Sequence, residues 1–207
     1  IEAQVRAYER HLEALHLSLV DSHLDWSSES SAFLINRLLA DAPKSVAELS
    51  CLGYQAHYCN PTTMDFLHDR FFELHRLNAL QQNLAEAEPA ARHSDAFAFN
   101  LSAVRASDAP CTTLANPNGF FAVEACRLVR YAAMSDCAKS LSIVGYDDQL
   151  QDHGQTAMLV AQLIWYAVSG FYARKHDYPI DYNRLKKYAV DSANYRDPLT
   201  FYKSPKS

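Results

Sequence analysis

The sequence predicts an α/β fold, a three-layer α-β-α arrangement with a mainly parallel sheet. Two features predict it. Segments patterned as strands alternate with segments patterned as helices, the order that builds parallel sheets through crossover helices. The strand segments are also near-continuous apolar runs, as expected where helices cover both faces of a sheet. No internal repeat and no domain boundary is visible, so residues 1–207 are read as one domain. The chain begins at Ile1 and stops soon after a patterned segment, so we expect a piece of a longer protein.

Each element has a local reason. Val5, Tyr8, Leu12 and Leu15 recur at helical spacing, which predicts a helix over Ile1–Leu15. The apolar run from His16 to Asp21 is the first strand, and Ala32–Ala40 is a short helix ended by Asp41-Ala42-Pro43. Leu49–Tyr54 is the second strand. Asn60-Pro61-Thr62 starts a helix that runs to about Phe72. Leu74–Asn78 is a very short strand, and Leu80–Glu88 a helix stopped by Pro89. Ala96–Ser102 is a further strand. Asp108–Gly119 is a long loop with a strong turn at Asn116-Pro117-Asn118-Gly119. Phe120–Met134 reads as a buried helix, Leu141–Tyr146 as the last core strand, and Asp147–His153 as a polar loop. Gln155–Arg174 is the longest helix. It is apolar nearly all round, which predicts burial on most sides. Tyr182–Ala189 reads as a polar helix and Phe201–Ser207 as an exposed or docking tail.

Composition excludes several partners. Nineteen Lys and Arg against 24 Asp and Glu give a net charge of −5, so no basic stripe is available for nucleic acid or an anionic membrane. The longest apolar run, Ala157–Tyr172, is shorter than the roughly 20 residues of a bilayer span. The five cysteines are odd in number and form no C-x-x-C pair, which suggests reduced thiols and a cytoplasmic location.

The chemistry concentrates in Val20-Asp21-Ser22-His23-Leu24-Asp25-Trp26. Residues two apart share a face in extended backbone, so Asp21, His23 and Asp25 can converge at the carboxyl end of a strand. Sites in open α/β sheets form at that end. Two carboxylates and an imidazole suit a divalent cation such as Mn²⁺ or Zn²⁺. The same triplet also suits a solvated strand-to-helix loop in which one Asp caps the next helix. Later strand ends add Gln55 and His57, then Asn100 and Ser102, then Gly145, Asp147 and Asp148. His57, His68, His75, His93 and His153 match no clear motif and read as surface or loop histidines.

This constellation resembles the arginase, agmatinase and formimidoylglutamase (ureohydrolase) family. Asp21-Ser22-His23-Leu24-Asp25 is similar to its D-A-H-x-D metal motif. Ala98-Phe99-Asn100-Leu101-Ser102 is similar to its S-F-D-x-D motif. Asp152, Gly154, Thr156 and Ala157 are similar to its closing D-x-x-G-x-T-A. Glu88–Arg92, Pro117–Phe120 and Phe201–Ser207 resemble a divergent bacterial arginase-like branch. The resemblance covers nearly the whole chain and corresponds to the C-terminal part of such a protein. It implies a pair of Mn²⁺ ions that activate a bridging water against a guanidinium or amidine carbon. It also implies a homo-oligomer.

The chain departs from that pattern. Asn100 and Ser102 stand where the family places two metal-binding aspartates, and both are neutral. Gly145 stands where a glutamate holds the substrate guanidinium, with Asp147 and Asp148 nearby. The expected protein is therefore a ureohydrolase-like one with a degenerate metal site, weakly active or inactive, holding one Mn²⁺ or none on Asp21, His23 and Asp25. The alternative is a working metal-dependent hydrolase of linear amidine or guanidinium C–N bonds. A third reading, an interaction module, rests on the aromatic residues of the longest helix and on the tail.

Overall fold

The computed structural model describes residues 15–24, 46–177, 182–191 and 198–205. Five strands form the sheet: β1 (Leu15–Val20), β2 (Val46–Tyr54), β3 (Glu73–Arg76), β4 (Ala96–Asn100) and β5 (Ser140–Val144). Their order is β3-β2-β1-β4-β5 and every pairing is parallel. Helix α1 (Pro61–Asp69) joins β2 to β3. Helices α2 (Leu77–Gln82) and α3 (Ala87–His93) join β3 to β4, α4 (Ala122–Ala133) joins β4 to β5, and α5 (Gln155–Tyr172) follows β5.

Strand alternation sorts the core into two layers. Leu17 and Leu19 of β1, Leu49 and Cys51 of β2, and Ala96 and Ala98 of β4 pack on one face with Leu67 of α1. Val20, Leu52, Phe97 and Phe99 pack on the other face with α2 to α5. The sheet is thus covered on both faces, and the predicted three-layer α/β fold holds. The chain steps outward from β1 to β3, then crosses to β4 on the opposite side. The order therefore reverses between β1 and β4, and a crevice at the strands' carboxyl ends lies there by topology.

Several boundaries differ from the sequence reading. Of the predicted first helix only Leu15 is described, and it belongs to β1. The rest of that helix, the Ala32–Ala40 helix and Asp25 lie outside the described residues. Pro89 does not stop a helix. Asn83 breaks the segment first (φ −145°), and Pro89 then falls in the first turn of α3, where its missing N–H would be unbonded anyway. Asn60 does cap α1, its side chain accepting from Thr62 N at 3.0 Å. Strand β4 ends at Asn100, and Leu101–Ala103 form a 3-10 turn.

The C-terminal elements depart most. The predicted polar helix is a 3-10 turn over Tyr182–Arg184 followed by strand β6 (Lys186–Val190). Strand β7 (Leu199–Lys203), antiparallel to β6, takes up the start of the predicted tail, Phe201–Lys203. Tyr188, Val190, Thr200, Phe201 and Tyr202 favour strand backbone. Their pairing spans the intervening chain, so a local pattern could not display it.

Helix α5 is also not buried on most sides. Thr156, Leu159, Leu163 and Gly170 face α4 and the sheet, whereas Met158, Trp165, Phe171 and Tyr172 are exposed. No helix among the described residues is long and apolar enough to cross a membrane. Gly170 sets the closeness of the α4–α5 packing. A Cβ there would lie 2.6 Å from Arg130 O and 2.8 Å from Ala133 Cβ. Gly170→Ala is therefore expected to destabilise by about 1–3 kcal/mol, although glycine-to-alanine usually strengthens a helix. Urea denaturation of the two proteins measures this.

Candidate active site at the carboxyl edge of the sheet

Strands β1 and β4 are neighbours, with Val20 opposite Phe99. The residues that follow them, Asp21 and Asn100, therefore meet at the switch point. Asp21 is 1% exposed and Ser102 0%, so a carboxylate here must find its partners inside the protein. Three neutral donors among the described residues reach it. Asn100 Nδ2 donates to Asp21 Oδ2 at 2.9 Å. Ser102 Oγ donates to Asp21 Oδ1 at 3.2 Å, and His23 N donates to the same oxygen at 3.1 Å. The remaining amide oxygen of Asn100 accepts from Ser102 N at 3.1 Å. Asn100 and Ser102 thus serve as donors to the carboxylate rather than as lone pairs aimed at an ion.

The neighbouring groups close the cluster. Ser22 Oγ lies 2.7 Å from His23 Nδ1, and Asn116 Nδ2 donates to Ser22 Oγ at 3.2 Å. The His23 ring stacks on Tyr58 at 4.2 Å. Burial pushes the Cys51 thiol far up, with the Asp21 carboxylate adding to it, so Cys51 is an inert core thiol. Asn116 and Tyr58 were not singled out as site residues from the sequence. The Asn116-Pro117-Asn118-Gly119 turn gave the only signal, since it marked the loop that folds back over the cluster.

Gly145 sits beside the same cluster, at the end of β5. Its φ is +85°, and a Cβ there would fall well inside contact distance of Asn100 Oδ1. A side chain at position 145 would therefore require Asn100 to shift. Asp147 serves its own turn, accepting from Gln149 N at 3.0 Å, and Asp148 accepts from Gln149 Nε2 at 2.9 Å.

Asp152, in the closing motif, organises α5. It accepts from Thr156 N at 2.6 Å and Gly154 N at 2.9 Å. Hydrogen bonds from Thr156, chiefly, hold its carboxyl at about 2. The folded value is depressed below the ordinary one, so its stabilising contribution is complete above about pH 4 and is lost as pH falls toward 2. The melting temperature of the wild type is accordingly expected to fall more steeply than that of Asp152→Asn across that window. Thermal melts at stepped pH check it.

A cavity of about 520 Å³ adjoins the cluster, lined in part by Gln55, His57, Arg76, Arg105 and Asn118. Gln55 is the shared wall: its N–H donates to Ser22 O at 3.0 Å and its Nε2 to Asn118 O at 3.0 Å. Arg76 is oriented by its Nε, which donates to the Tyr54 hydroxyl at 3.1 Å. Arg105 is oriented likewise, its Nε donating to Asp108 at 2.8 Å. Partial burial works against the ionised Asp108, but hydrogen bonds from Ala122 N, Arg105 and Ser107 outweigh it and hold its carboxyl below the ordinary range. The cavity therefore presents two permanently charged guanidiniums.

The donors at Asp21 among the described residues do not by themselves fit a pair of divalent ions. Among the described residues they amount to one carboxylate and one imidazole, and the Asn and Ser are engaged with that carboxylate. Such a set leaves two divalent ions without the carboxylates that would balance their charge.

No family model matches the sequence, and no curated protein matches it. Solved structures do. Formiminoglutamase of Trypanosoma cruzi, in a structure with Mn²⁺, superposes with a TM-score of 0.74 at 18% identity, covering 83% of this chain and 61% of that one. Formimidoylglutamase of Bacillus subtilis gives 0.73 at 16% identity, covering 84% and 58%. Arginase of Bacillus cereus gives 0.69 at 17% identity, covering 80% and 66%. The chain thus has the arginase-like α/β fold and spans about three fifths of the length of the two formiminoglutamases it resembles.

Proposed function

We propose that this chain is a ureohydrolase-like protein whose metal site has been dismantled, leaving it inactive or weakly active. One observation supports it above the others. Both oxygens of Asp21 accept hydrogen bonds from the side chains that stand where the resemblance calls for two aspartates. The closed position at Gly145 agrees, because it removes the place of a substrate-holding glutamate. The two-arginine cavity bears on the ligand. A linear amidine or guanidinium compound entering there would be held by a carboxylate at its other end, since its cationic end is repelled.

The second reading, a working amidine hydrolase, draws on the retained Asp21 and His23 and on the Mn²⁺ of the Trypanosoma cruzi structure. Activity separates the two. Full-length protein supplied with Mn²⁺ is assayed for release of urea, ammonia or formamide from arginine, agmatine and formiminoglutamate. Little or no release is expected. Turnover that disappears with His23→Ala would replace the first reading by the second. We also propose a homo-oligomer, supported by the exposed Met158, Trp165 and Phe171 of α5. Light scattering is expected to give a multiple of the chain mass, and a clean monomer would remove that part.

A further inference from the structure

At the opposite end of the sheet, three side chains from three elements converge. His16 lies near the start of β1 and Glu48 is its paired residue in β2. His93 is the last residue of α3, which packs along β1 so closely that Ser18 Oγ donates to Ala90 O at 2.9 Å. The nitrogen and oxygen atoms that these three offer lie within 4.8 Å of one another. His16 Nδ1 is 3.8 Å and His93 Nε2 3.5 Å from Glu48 Oε2. Ligands in a tetrahedral zinc shell, bound at about 2.0–2.2 Å, stand roughly 3.3–3.6 Å apart. The two separations from Glu48 are already within a few tenths of an ångström of that.

The surroundings suit an ion. The Glu48 and His93 side chains are 60% and 63% exposed, so each can adjust to complete the geometry, while His16 is held at 27%. A cavity of about 170 Å³ opens beside them, lined also by Ser50, Glu73 and Ser94, with room for a water as fourth ligand. Asp95 is engaged elsewhere, accepting from His16 N and from Lys139 Nζ. Two imidazoles and one carboxylate favour Zn²⁺ over the oxygen-seeking Mg²⁺ or Ca²⁺. The strand places this cluster roughly 16 Å from Asp21, five residues away at about 3.3 Å each.

We propose that His16, Glu48 and His93 form a zinc site that fastens α3 to the amino ends of β1 and β2. The full chain, stripped with chelator, is titrated with Zn²⁺ by calorimetry and with Co²⁺ by visible absorption. One ion per chain is expected, with a rise in melting temperature on loading. His93→Ala and Glu48→Gln are expected to weaken binding by more than the roughly 10- to 100-fold that loss of a supporting partner costs. Both substitutions fall on exposed side chains, so their metal-free melting temperatures serve as the folding control. His23→Ala, at the other end of the sheet, is expected to retain the zinc. Zinc affinity unchanged in both ligand variants would overturn the site, as would no binding by the wild type. Loss of metal-free stability in His93→Ala with no zinc dependence in either protein would also overturn it, leaving a histidine–glutamate ion pair.

Discussion

Asn100→Asp is expected to destabilise the protein by about 3 kcal/mol at neutral pH. The substitution removes the donor 2.9 Å from Asp21 Oδ2 and sets a second carboxylate in its place. Losing a buried hydrogen bond to a charged group costs about 1.5–3 kcal/mol, and two carboxylates sharing one site raise the affinity of the pair for a proton. The sign with pH follows. A folded-state value raised above the unfolded one gives stability that is present at low pH and lost as pH rises. The gap between Asn100→Asp and wild type should therefore be small near pH 4 and grow toward pH 7. Urea denaturation at both pH values measures it. An unchanged gap would mean that the new carboxylate does not meet Asp21.

Gly145→Ala is expected to cost about 3 kcal/mol, for two separable reasons. The backbone sits at φ +85°, and holding a side chain in that region costs about 1 kcal/mol or more. The new methyl also runs into Asn100 Oδ1, an overpacking term of about 1–3 kcal/mol. A double-mutant cycle with Asn100→Ala isolates the second term, because shortening Asn100 opens the space. A coupling of about 1–2 kcal/mol is expected. Independent, additive effects would show that the two positions do not constrain each other. The structural point is that Asn100 and Gly145 constrain each other. An amide that reaches across to Asp21 needs the neighbouring strand end to be bare.

The sequence displayed the strand ends well and the relations between them poorly. Asp21 and Asn100 were legible as site positions because each follows a continuous apolar run, and such runs place their last residue at the sheet's edge. The dependence of Gly145 on Asn100 was not legible, since it is a contact between strand ends far apart in the chain. Neither was the direction of the Asn100–Asp21 hydrogen bond, which depends on how an amide turns once folded. The reading of α5 failed for a related reason. Its composition is apolar all round, but burial is decided by what packs against it, and among the described residues only one side is packed. The β6–β7 pairing was missed because its strand preference competes with an equally polar helical pattern, and only the pairing decides. His16, Glu48 and His93 were individually unremarkable histidines and a glutamate. The register of β1 with β2 and the end of α3 are what bring them together.

On the function proposed above, Asn100 and Ser102 stand in place of the carboxylates that a pair of metal ions would need. Low-temperature electron paramagnetic resonance of the full-length protein, loaded with Mn²⁺ and freed of excess, tests it most directly. No exchange-coupled manganese pair is expected. A coupled pair at one per chain, abolished by His23→Ala and unaffected by His93→Ala, would contradict it.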